Sequence, residues 1–88
     1  MTRACTLTTT CGLAVEVRTG FMDDYLGILL GRSTLVAEPT LIFTCKKEDV
    51  RLSDWEPGSA LLRADRLAVL LTADSAEDLS RYLGIEIA

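Results

Sequence analysis

From Ala4 to Arg18 the chain alternates. Cys5, Leu7, Thr9, Cys11, Leu13, Val15 and Val17 form a mostly apolar set; Ala4, Thr6, Thr8, Thr10, Gly12, Ala14, Glu16 and Arg18 form a mostly polar or small one. A period of two is the signature of a half-buried strand. The threonines suit it, because branching at Cβ stiffens the side chain. Gly12 marks either a bulge or a turn that divides the run in two. The stretch "RTG", Arg18 to Gly20, is expected to end it.

The period then changes. Met22, Tyr25, Leu26, Leu29 and Leu30 fall at helical spacing and predict a helix. Asp23 or Asp24 is placed to cap its start, and Gly31 to stop it in a left-handed conformation. Gly27 inside such a helix costs about 1 kcal/mol relative to Ala.

After Pro39, Thr40 to Lys47 reads as a second strand with Leu41, Phe43 and Cys45 on one face. "KKED" is turn-like, and Val50 to Leu52 is a short third strand. "SDWEPGS" is a loop in which Pro57 and Gly58 make a type II turn. The dense apolar run Arg66 to Thr72 predicts a central strand. A final helix spans about Ala76 to Leu83, with Ser75 and Asp78 as a capping box. Leu79, Tyr82 and Leu83 form its apolar stripe, and Gly84 stops it. "IEIA" is a short tail able to add a strand. The expected fold is therefore a single α+β domain over residues 1–88. Its small mixed or antiparallel sheet has about four strands, with two helices packed on one face. The order is strand, helix, strand, strand, strand, helix.

At 88 residues, 49% hydrophobic and 25% charged, the composition is that of a small globular domain. Such a domain buries only about 60% of its unfolded surface, so a partner often completes the core. The net charge of −4 is unevenly spread, with residues 67–88 summing to −3 and residues 46–66 to zero. No basic face dominates, which disfavours nucleic-acid binding. No run of about 18 apolar residues predicts membrane insertion. The opening "MTRACTLTTTCG" lacks the apolar core of a signal peptide. With three cysteines, an odd number, reduced thiols and a cytoplasmic location are expected.

Candidate chemistry is sparse. Cys5, Cys11 and Cys45 offer three thiolates, but structural zinc uses four ligands and the chain has no histidine. Six residues of straight strand separate Cys5 from Cys11 by about 20 Å. They meet only if the chain turns at Gly12, and otherwise read as core residues. The absence of histidine also deprives a cysteine nucleophile of its usual base. The acidic pairs Asp23–Asp24, Glu48–Asp49 and Glu77–Asp78 are sequence neighbours and do not converge on a helix. No cofactor or metal site is expected. Trp55, the only tryptophan, lies between acids in "SDWEPG". It reads either as a binding anchor or as a plug over a core edge. Trp55, Tyr25 and Tyr82 are the candidate interface residues.

The stretch "EPGSALLRADRLAVLLTADSAEDLSRYLG", Glu56 to Gly84, resembles the end of RCK C-terminal (TrkA-C type) regulatory domains of potassium-transport systems. Leu61, Asp65 and Leu67 match the family run, with Ala64 in place of its usual glycine. "TLIFTCKK" is similar to the family's preceding strand, which extends the likeness over residues 40–84. The resemblance implies a non-catalytic domain that forms a homodimer and senses a ligand between two copies. The alternative expectation is a stand-alone acidic inhibitor or adaptor that binds another protein.

Overall fold

The computed structural model describes residues 3–22, 24–31 and 37–88. Among them, the chain forms β1 (Arg3–Thr8), β2 (Ala14–Met22), β3 (Tyr25–Leu30) and β4 (Thr40–Lys46). A single 3-10 turn, Lys47–Asp49, leads to β5 (Val50–Asp54), β6 (Ser59–Ala64) and β7 (Leu67–Thr72), and then to the helix α1 (Ala73–Leu83). The strands make two antiparallel meanders, β1-β2-β3-β4 and β5-β6-β7. This corrects the expected two-helix α+β arrangement: the described fold is mostly sheet, with one helix near the end.

The alternating run divides at Gly12, whose φ of +90° favours glycine because it has no Cβ to clash. The Gly12 N–H donates to Thr9 O at 3.0 Å, and β1 folds back on β2 with Cys5 opposite Val17. Strand β2 does not end at "RTG". It runs through Gly20 to Met22, with a register shift beyond Arg18 that absorbs the glycine.

The expected first helix is instead β3. Met22 pairs with Tyr25, so Asp24 stands in a hairpin turn rather than at a helix start. Asp24 takes φ +67°, a left-handed conformation that Asp tolerates better than most residues. Asp23 lies outside the described residues. Leu26, Gly27, Ile28 and Leu29 are all buried, so this central strand is apolar at every position and carries no alternation. Its leucines then fit helical spacing by coincidence. Gly31, expected as a helix stop, follows the strand and donates its N–H to Ala14 O at 2.9 Å.

Strand β4 matches its expected span, but its faces do not. Leu29 pairs with Leu41 and Ile28 with Phe43, leaving Ile42 as an extra residue. This bulge turns Leu41 away from the side shared by Phe43 and Cys45. In the second sheet, β6 is the middle strand, and the expected central strand β7 lies at the margin. The Pro57–Gly58 turn forms as read: Gly58 has φ +87° and Ser59 N–H donates to Glu56 O at 2.9 Å.

Helix α1 begins three residues before its expected start. Thr72, not Ser75, is the cap, and its Oγ1 accepts from Ser75 N–H at 3.3 Å. Gly84 closes the helix at φ +70° as expected, its N–H reaching Ser80 O at 2.8 Å. Leu79 and Leu83 are buried, and Tyr82 is half-buried.

The core lies between the inner faces of the two sheets. Leu7, Val15, Val17, Leu26 and Ile28 from the first meet Leu52, Leu62 and Leu71 from the second, with Leu79 and Leu83 of the helix. Burying each leucine stabilises the fold by about 1.5–3 kcal/mol before entropy is counted. Among the described residues, no helix is long and apolar enough to cross a membrane.

Candidate functional site

A strand at the margin of a sheet presents a row of unpaired N–H and C=O groups. Each of the two meanders has two margins, and identifiable hydrogen bonds reach three of the four over part of their length. Margin β1 meets margin β7 through an isolated bridge between Thr9 and Leu71. Thr10 N–H adds a bond to Leu70 O at 3.0 Å, so the two sheets join at this corner. Farther along β1, helix α1 supplies a side chain: Thr8 N–H donates to Ser75 Oγ at 2.8 Å. Tyr82 Oη lies 3.2 Å from Thr19 N and 3.1 Å from Thr19 Oγ1, fixing the end of α1 to β2.

The margin of β5 is closed by the tail. Ile87 makes a parallel bridge to Leu52. Ala88 N–H donates to Leu52 O at 2.9 Å, and Asp54 N–H to Ala88 O at 3.0 Å. The tail that could add a strand thus lies along β5 through an isolated bridge, short of a full strand.

Strand β4 is different. Among the described residues, no backbone bond reaches its outer margin. Leu41 and Ile42 are 49% and 46% exposed, beside a shallow depression that also includes Phe43 and Thr44. Between Thr40 and Cys45 the strand carries no charge. Natural edges are commonly guarded by lysine, proline or a covering element. Here Pro39 and Lys46 stand only at the ends, and the bulge at Ile42 is the one irregularity within.

The expected interface residues do not converge on this margin as a set. Tyr25 is 36% exposed and lies next to β4, paired with Lys46. Trp55 is 57% exposed in the β5–β6 turn, a tip rather than a core plug. Tyr82 is half-buried on α1 and serves the fold through Thr19. Leu41 and Ile42 were not singled out from sequence. Their signal was the adjacency of two large apolar residues in a strand that tolerates alternation.

The cysteines stay apart in role. All three are free thiols. Cys45 is buried and Cys5 half-buried, as core residues should be. Cys11 is exposed, which corrects its placement on the apolar face: the turn at Gly12 breaks the alternation before Leu13. Cys5 sits three residues, about 10 Å of strand, before the end of β1, while Cys11 lies beyond it in the turn. The hairpin therefore does not bring the two together. Burial, reinforced by the Asp78 charge, pushes the Cys5 thiol up; burial with Asp49 and Asp65 does the same at Cys45. Cys11 shifts down, chiefly through Thr9 Oγ1 at 3.2 Å and then the Leu13 backbone. Because Leu13 N–H donates to Thr9 Oγ1 at 2.9 Å, the Thr9 hydroxyl hydrogen is free to face a Cys11 thiolate. Among the described residues, no three Cys, Asp or Glu side chains gather as a metal site.

Comparison with family models, curated proteins and solved structures finds no match.

Proposed function

We propose that this protein is a non-catalytic binding module that self-associates by pairing the open margin of β4 with a second copy. The observation that carries this reading is the contrast among the margins: specific bonds reach three of them, while β4 receives none from the described residues and keeps exposed Leu41 and Ile42. Pairing two such margins satisfies the backbone and removes apolar surface from water in one step. An uncharged margin meets its own copy without repulsion. The likeness of residues 40–84 to RCK C-terminal domains supports the same reading, with regulation by association as the biological role and the cytoplasm as the location.

Sedimentation equilibrium over a concentration series tests it. The wild type populates a dimer, and Leu41→Lys with Ile42→Lys shifts the population to monomer. A wild type that stays monomeric at high concentration, or an unchanged double variant, defeats the reading.

Trp55 favours a second reading, that of an acidic adaptor or inhibitor. A tryptophan 57% exposed at a turn, between Asp54 and Glu56, suits insertion into a partner's pocket. On this reading Trp55→Ala abolishes recovery of a defined co-purifying protein and leaves self-association intact. Equal recovery of that protein with Trp55→Ala rejects it.

A further inference from the structure

The outward face of the three-stranded sheet carries an arrangement that the fold does not need. Arg51 on β5 and Arg63 on β6 are direct cross-strand partners, with Ala68 of β7 completing the row. Both arginines are exposed. Like charges placed directly opposite each other destabilise a sheet. The usual remedy is a nearby carboxylate. Yet the ion pairs among the described residues are Arg18 with Glu16, and Arg81 with Glu77 and Asp78. Neither Arg51 nor Arg63 enters one, although Glu48 and Asp65 lie nearby in sequence. Arg51 is instead steered by its own backbone: Nη1 donates to Glu48 O and Val50 O. That leaves Nε and Nη2 for another acceptor.

We propose that Arg51 and Arg63 form a docking site for a partner-protein segment bearing paired carboxylates. Two guanidinium forks side by side match carboxylates bidentately. The adjacent row on the same sheet is Ser53, Leu61 and Leu70, all half-buried. It offers apolar contact beside the charges, so the segment carries apolar residues next to its acids. Two arginines match one pair of carboxylates but are too few to track the row of phosphates that a nucleic acid presents. This site is separate from the β4 margin and stands or falls independently of the self-association reading.

The test uses a fluorescein-labelled peptide of repeating Glu-Glu-Leu units, its Gln-Gln-Leu counterpart and a short DNA duplex, each titrated by anisotropy. The acidic peptide binds, and binding weakens as salt is raised. Arg51→Gln and Arg63→Glu each weaken it about tenfold, as loss of a charge-assisted contact predicts. Arg63→Glu also places opposite charges across the strands, so its thermal midpoint rises while binding falls. Equal binding of the Gln peptide, unchanged affinity in either variant, or tighter binding of the duplex overturns the proposal. So does loss of self-association in Arg63→Glu, which makes a second copy the occupant.

Discussion

Thr8 and Ser75, 67 residues apart in sequence, are joined by a single hydrogen bond: the Thr8 backbone N–H donates to Ser75 Oγ at 2.8 Å. The serine side chain stands in for the neighbouring strand that β1 lacks at this point. Ser75 is buried, so nothing replaces its hydroxyl when it is removed. Ser75→Ala is expected to destabilise the protein by about 1–2 kcal/mol, the cost of leaving a covered donor unpaired. Urea denaturation checks this through a lower midpoint at unchanged slope.

The open margin makes stability depend on concentration. A protein that dimerises only when folded gains stability by mass action. The wild-type thermal midpoint should rise with protein concentration. Leu41→Lys with Ile42→Lys should remove that dependence. At high dilution the variant should match wild type within about 0.5 kcal/mol, because both positions are surface sites in the isolated chain. Differential scanning calorimetry at several concentrations separates the two effects.

The thiols should react in a fixed order. Cys11 is exposed and its thiolate is favoured by Thr9, whereas Cys5 and Cys45 are held protonated by burial and nearby acids. Iodoacetamide at neutral pH should modify Cys11 first, half-buried Cys5 more slowly, and buried Cys45 last. Thr9→Val should slow the Cys11 reaction. Peptide mapping by mass spectrometry reads both outcomes.

The raised thiols also set an alkaline limit. An ordinary thiol titrates at 9.0, and in the folded chain Cys5 and Cys45 titrate above that value. The folded state therefore holds protons that the unfolded state releases. Their contribution is complete below pH 9.0 and is lost as pH rises through the folded values. Cys5→Ala with Cys45→Ala should show a flatter fall in thermal midpoint above that pH than wild type. Equal slopes would show that other groups carry the alkaline loss.

How much of this was legible in the sequence follows from where local pattern governs. The strand character on either side of Gly12 and the Pro57–Gly58 turn were readable, because alternation and turn chemistry act within a few residues; whether Gly12 made a bulge or a turn was left open. Strand β3 was not readable: burial on both faces erases alternation, and Leu26, Leu29 and Leu30 mimic a helix stripe. Strand β6 escaped because "SALLRA" gives a short, mixed signal that only pairing on both sides makes central. Of the site, the apolar character of Leu41 and Ile42 was visible. That β4 lies at a margin was not, because strand order is a property of the folded chain. Ile42 added a bulge that shifted every face assignment before it.

The bridge between Thr9 and Leu71 has a kinetic consequence. Within each meander, every paired strand is the next one along the chain, so those pairings close short loops and form fast. Joining β1 to β7 instead requires chain segments more than sixty residues apart to meet. By its sequence separation, that closure, with the docking of α1 on β1, is expected to follow the strand pairings within each meander. The two meanders share one core, so the corner at Thr9 and Leu71 is where they become one protein.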